Sequence, residues 1–254
     1  MRDRAIGAGL ASDEHFSVDG TLIESHASIK SFRPEGGDDG GDSGGFKPRN
    51  PEVDFRGERP SNQTHRSSTD PQARLYRKSR GHEAMLCHMG HVISENRNGL
   101  VMSVAVTAAT GHAEREAALA MVDELRSCMI NPRTLAADRG YDCGAHLEDL
   151  EQRGIEPHVA LRPGRVGGAK GTSERNSARR ASVLARRRME CRTRSDGYRL
   201  GQRARKKVEE VFAWCKTVAG LARARHVGRW KILQQMQMAA AAYNLVRMRN
   251  LAVG

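Results

Sequence analysis

Apolar and polar positions change rhythm several times along this chain of 254 residues. From 15 to 23, HFSVDGTLI, β-branched and aromatic residues mark a strand, with a turn expected at Asp19-Gly20. The runs 83–93 (EAMLCHMGHVI) and 100–110 (LVMSVAVTAAT) are joined through Asn98-Gly99 and read as a β-hairpin. Over 112–128, Ala117, Ala118, Met121, Val122 and Leu125 share one face at helical spacing. Glu114, Arg115, Glu116, Asp123 and Glu124 lie mainly off that face, which predicts an amphipathic helix covering a sheet. RTLAADRGYD predicts a short strand ending at Asp138 with a turn at Gly140, then a helix over about 143–153 and a strand at 158–161. A helix over 198–221 carries Val208, Val211, Phe212 and Cys215 on a packed face, and an Ala- and Met-rich helix over 231–251 is expected in the core. Three strands, a helix, a strand, a helix and a strand predict a mixed α/β fold.

Between 31 and 81 this rhythm lapses. GGDDGGDSGG at 36–45 contains only Gly, Asp and Ser, and polar, Pro-containing sequence follows, so 31–81 is expected to be a flexible insertion. Its aspartates lack the spacing and the glutamate of an EF-hand, which argues against a calcium loop.

Charge narrows the choice of partner. Lys and Arg number 42 against 30 Asp and Glu, a net charge of +12. From 162 to 207 there are 16 Lys or Arg against three acids, Glu174, Glu190 and Asp196, an excess that accounts for the whole net charge. A basic surface localised in this way points to a polyanion, with nucleic acid first. No run reaches the roughly 18 apolar residues of a membrane span, and the start lacks the apolar core of a signal peptide, so a cytoplasmic protein with no membrane partner is expected. The five cysteines, Cys87, Cys128, Cys143, Cys191 and Cys215, form no C-x-x-C pair and read as reduced thiols. Cys87, His88 and His91 lie close together in CHMGH, but no second cluster completes a zinc site.

Three acids sit where acids are locally out of place: Asp19 in an apolar strand, Asp138 at the end of LAAD and Glu209 beside the packed face of a helix. Desolvating a carboxylate is costly unless something compensates, and a divalent cation does so. Phosphodiester chemistry uses two Mg²⁺ ions about 4 Å apart, held by carboxylates. Each acid also has a plainer reading: Asp19 as a turn former, Asp138 as a helix cap, Glu209 as the partner of Arg205 one turn earlier. Arg205, Glu209 and Lys216 fall on one side of their helix, so two cations flank the acid on the same face.

Together, VDGTLIESHASIKSFRP, the stretch from RNPEVDF to CHMGH, ENRNGLV, LAADRGYD, RKKVEEVFAWCKTVAGL and AAAAYNLVRMRNL resemble a DDE transposase of bacterial insertion sequences, of the insertion-sequence-five type. The resemblance covers nearly the whole chain. It implies a ribonuclease-H-like fold, a mixed sheet flanked by helices, whose first strand carries Asp19, whose fourth carries Asp138 and whose following helix carries Glu209. These three would be the catalytic, metal-binding acids, with two Mg²⁺ ions, for which Mn²⁺ can substitute. Family members also place a tyrosine, an arginine and a lysine around this helix. Arg205 and Lys216 match, whereas strict spacing puts Gln202 at the tyrosine position, with Tyr198 as a stand-in. Arg203, Lys206 and Lys207 join Tyr198, Arg205 and Lys216 as expected DNA contacts.

The resemblance further implies cleavage and strand transfer at transposon ends, with element ends and target DNA as partners, a homodimer in the active complex and a place at the nucleoid. It divides the chain into a residual N-terminal helix over 1–14 and a catalytic domain over 15–254, with insertions at 31–81 and, strongly basic, at 162–197. Relatives carry a long helical region before the first acid, so this sequence reads as a truncated copy. That opens an alternative, a non-catalytic remnant that only binds DNA. A general nuclease of the same fold is a third reading, supported by nothing beyond the shared acids.

Overall fold

The protein was analysed as a computed structural model that describes residues 2–35, 60–77, 81–163 and 174–253. After a short helix α1 (Arg2–Gly7), strand β1 (His15–Glu24) forms the spine of a mixed sheet, and β5 (Met85–Glu95) and β6 (Val101–Ala108) make the predicted hairpin. β1 pairs antiparallel with β5, and β5 with β6. On the other side β1 runs parallel to β7 (Thr134–Ala137), which runs parallel to β8 (Glu156–Val159). The order β6, β5, β1, β7, β8 is compatible with a ribonuclease-H-like sheet. β1 does not turn at Asp19-Gly20 as the sequence suggested. Both residues stay in the ladder, opposite Val92 and His91, because nine consecutive pairs with β5 outweigh a local turn preference.

Alternation along β1 distributes the core. Phe16 and Val18 face helix α2 (Ala113–Ser127), whose Ala117, Ala118, Met121, Val122 and Leu125 bury the predicted face, and α3 (Gly144–Gln152) adds Leu147 and Leu150. Ile23 faces the other way, with Val92, towards α6 (Lys206–Thr217) and α7 (Arg229–Val253). The helix expected over 198–221 is in fact two, α5 (Asp196–Ala204) and α6, separated by Arg205. On α6, Val208, Val211, Phe212 and Cys215 are buried as their spacing predicts. Asn244 of α7 brackets the edge strand: its amide accepts from Val101 N (2.8 Å) and donates to Val101 O (2.8 Å), satisfying a backbone that has no strand neighbour there.

Parts of the two stretches expected as insertions are ordered. The flanks of 31–81 are ordered: β2 (Phe32–Pro34) pairs with β3 (His65–Ser67), and β4 (Arg74–Tyr76) adds to the outer edge of β5. The Gly/Asp tract at 36–45 lies outside the described residues. Asp70 locks this segment down, accepting from Ser25 Oγ (2.9 Å) and bonding His88 Nε2 (2.8 Å), all fully buried. The basic stretch 162–197 includes helix α4 (Glu174–Arg192), packed on α3 with Ala185 and Met189 in the core. A side chain at Gly144 would stand 2.5 Å from Ser182 O, so the two helices meet backbone to backbone. Arg186 is paired with the almost fully buried Asp142, and Arg188 and Arg192 with Glu151, so part of the basic charge is spent on packing.

Candidate active site

Strand register brings the first two acids together. Ser17 on β1 stands beside Ala136 on β7, the last pair of the parallel ladder; Asp19 and Asp138 lie two residues farther along, and the charge of Asp138 acts on Asp19. Asp19 lies in the central strand, its side chain 18% exposed. Its pKa is raised to about 6: burial is the main cause, the Gly20 N–H works against it, and of the nearby charges Asp138 and Glu114 raise it while Arg205 lowers it. Asp138 ends β7 and caps the one-turn helix that follows, accepting from Gly140 N at 2.7 Å. The capping and metal readings are compatible, since one carboxylate oxygen can bond the turn while the other stays available.

Glu209 enters from the opposite layer. It stands in the first turn of α6 with its side chain 60% exposed. Arg205 joins the two layers: its Nη1 is 3.6 Å from Asp19 Oδ2 and 3.6 Å from Glu209 Oε1, so those oxygens are separated by no more than twice that distance.

A fourth carboxylate, which the sequence reading set off the packed face, belongs to this cluster. Glu114, in the first turn of α2, bends over the sheet end: a side chain at Gly20 would meet Glu114 Oε1 at 2.9 Å, and one at Gly140 would meet Glu114 Oε2 at 3.1 Å. Each glycine lies next to, or two residues beyond, one of the acids, and each leaves room for the same carboxylate. Arg115 fastens this turn of the helix to the loop, donating to Gly140 O at 3.1 Å. Beneath them Tyr141 is fully buried, and burial together with the charges of Glu114, Asp19 and Asp138 holds its phenol well above the ordinary range, as a neutral donor. The sequence signal for Glu114 is faint: helical spacing alone counts it as outward, and only the two small residues opposite betray its direction.

Of the cations expected at DNA, Lys216 lines a groove of about 470 Å³ together with Gly20, Glu114, Tyr76 and Met89, beside Asp19. Arg203 and Lys206 are exposed. Lys207 is committed to the hairpin turn, where Nζ donates to Asn96 O at 2.9 Å. Tyr198 packs edge-on against His158, ring centroids 6.1 Å apart, on the fringe of the core. Gln202 is nearer the acids, donating to Ala137 O at 3.1 Å and also bonding His158 O. The CHMGH residues do not converge: Cys87 is in an apolar cluster, His88 meets Asp70 and His91 meets Thr107.

The acids at the sheet end offer carboxylate oxygens, the set that suits a hard divalent cation, and Asp19 is raised first by burial and then by the charges of Asp138 and Glu114. Among the described residues no three His, Cys, Asp or Glu groups are already drawn tightly enough to hold an ion, and Arg205 stands between Asp19 and Glu209. Among the described residues no helix is long and apolar enough to cross a membrane. A family model described as a transposase DDE domain matches residues 11–245. No curated protein and no solved structure matches the chain.

Proposed function

The chain belongs to the transposase DDE domain family, and we propose that it catalyses metal-dependent DNA cleavage and strand transfer at the ends of an insertion sequence of the insertion-sequence-five type. The observation that carries this reading is the nearness of Asp138, just past the end of β7, to Asp19 on the neighbouring parallel strand, with Glu209 tied to Asp19 through Arg205. Water hydrolyses the phosphodiester at the element end, and the freed 3′-hydroxyl then attacks a target phosphodiester, so no covalent enzyme intermediate is needed. Asp19, Asp138 and Glu209 would hold two Mg²⁺ ions, or Mn²⁺ in their place. When bound, such ions would lower the pKa of the attacking hydroxyl and stabilise the leaving oxygen.

The rest of the work falls to this chain's own side chains. Lys216 in the groove beside Asp19 holds a phosphate near the scissile bond. Arg205 is released to a phosphate as Asp19 and Glu209 find other counter-charges. Arg203 and Lys206, exposed around the helix junction, extend the contact along the backbone with little base specificity. Tyr198 and Lys207 support this surface from their packed positions. The working unit is residues 15–254, assembled as a homodimer on two ends at the nucleoid.

The experiment is nicking and strand transfer in Mg²⁺ or Mn²⁺ on a fragment bearing the element's ends, with Asp138→Asn beside it. Products that vanish in the variant support the reading. A folded, DNA-binding protein that yields none points to a non-catalytic remnant.

A further inference from the structure

We propose that the outer face of helix α4, with Arg187 and Arg194 at its centre and Arg179 nearer its start, is a second DNA-contacting surface that holds the phosphate backbone of a duplex. This rests on the reading above for the identity of the polyanion, and adds a contact on an element that carries none of the acids or cations named there.

Helix α4 sorts its arginines by partner. Ala185 and Met189 are buried in the core beside α3. Arg186, Arg188 and Arg192 lie within about a quarter turn of that buried line and are paired with Asp142 and Glu151. Arg187, two residues from each buried residue, points about 160° away from both. It is exposed, as are Arg179 and Arg194, and these three form no ion pair with a described residue. Between 177 and 195 the only acid is Glu190. A face that is merely solvated mixes both signs and gains from opposite charges one turn apart. This face keeps its cations and leaves out the acids that would balance them.

Packing fixes where those charges stand, since α4 meets α3 backbone to backbone at Gly144 and Ser182. Helical bonding also continues past Arg192: Thr193 N bonds Met189 O at 3.1 Å, and Arg194 N bonds Cys191 O at 3.3 Å. Arg187 and Arg194, two turns apart, are therefore separated by about 10 Å along the axis. That matches three steps of a DNA strand at about 3.4 Å per charge. The 19 residues of α4 span about 28 Å, a little less than the roughly 34 Å of one duplex turn. Guanidinium groups bond phosphate oxygens in pairs and need no base edge. Surfaces for single strands add aromatic rings on which bases stack, and α4 has no aromatic residue, which favours a duplex. The chain passes from Arg194 directly into α5, whose far end leads to the exposed Arg203 and Lys206.

The test is fluorescence anisotropy of the full chain on a labelled duplex of random sequence, and on a single strand of the same length, over a range of salt concentrations. Wild type is compared with the Arg187→Gln, Arg194→Gln double variant, with Arg188→Gln and with Arg203→Gln. The double variant should lower the slope of log affinity against log salt on the duplex by up to about two, close to 0.9 for each lost phosphate contact, at an unchanged melting temperature. Arg188→Gln should keep the slope and lower the melting temperature, because its charge is committed to Glu151. A wild-type slope in the double variant, with a reduced slope in Arg203→Gln, overturns the α4 surface and leaves the function proposed above standing. A slope reduced on the single strand alone overturns the assignment to a duplex. A wild type that binds no duplex overturns both this surface and the function it rests on.

Discussion

Arg205 meets Asp19 across the junction of two layers, Nη1 standing 3.6 Å from Oδ2, with both side chains four-fifths buried. The same nitrogen reaches Glu209, so one guanidinium balances two carboxylates from different elements. Arg205 also separates α5 from α6, and Val208 N bonds back to Arg205 O at 3.0 Å in a tighter, three-residue step. The break in the helix thus falls at the residue that bridges the acids.

Removing that bridge should be costly in proportion to what it leaves behind. Arg205→Met strands a buried carboxylate, for an expected loss of about 1–3 kcal/mol in urea unfolding without metal. Asp19→Asn should recover much of it. A double-mutant cycle giving a coupling of about 0.5–3 kcal/mol is the expected result, and strict additivity would mean that the two side chains do not interact.

The raised pKa of Asp19 gives the stability a pH signature. Its main cause is burial, and the folded chain holds a proton up to about pH 6 that the unfolded chain releases near 3.8. Metal-free stability from this group is therefore full below that range, falls as pH rises from about 4 to about 6, and stays lower above, by on the order of 2 to 3 kcal/mol. Asp19→Asn should abolish this decline, so the difference between variant and wild type in EDTA isolates it. Mn²⁺ affinity should fall below about pH 6, where the ion must displace the proton.

Asp70 is the clasp that holds the segment after the Gly/Asp tract against β1 and β5. It bonds Ser25 and His88 in a site without solvent. Asp70→Ala should cost about 3–5 kcal/mol, the range for removing one partner from a buried charge-assisted pair. Guanidinium unfolding measures it, and a loss below about 1 kcal/mol would show that the clasp is dispensable.

Helix α4 should be a packed helix in solution and not a loose basic arm. Gly144→Ala puts a methyl against Ser182 O, and overpacking of this kind costs about 1–3 kcal/mol. Trypsin, which cuts after arginine, should then cleave within Glu174–Arg192 faster than in the wild type. Equal cleavage rates would mean that α4 does not depend on this contact.

On DNA, Arg203→Gln and Lys206→Gln should each reduce the slope of log affinity against log salt by up to about one, as loss of one phosphate contact does. Lys207→Gln should change the slope little and lower the melting temperature, because Lys207 holds the turn at Asn96.

The sequence by itself determined the central elements but not β2, β3, β4, α4 or the break between α5 and α6. Period-two and helical spacing predicted β1, the β5–β6 hairpin, α2, β7, α3 and the buried face of α6, because those patterns are local and each has one way to bury its apolar side. Asp19, Asp138 and Glu209 were visible as acids in apolar company. Only the tertiary structure decided what lies between them. Asp19 stays in a continuous strand because its ladder partner, Val92, comes from 73 residues away, beyond any local turn rule. Arg186, Arg188 and Arg192 of α4 are spent on Asp142 and Glu151 because packing on α3 brings opposite charges within reach. Glu114 could not be read as inward from its spacing. Its direction follows from two glycines, Gly20 on β1 and Gly140 in the turn after β7, that each leave room for the same carboxylate, and proximity of that kind is a property of the folded chain.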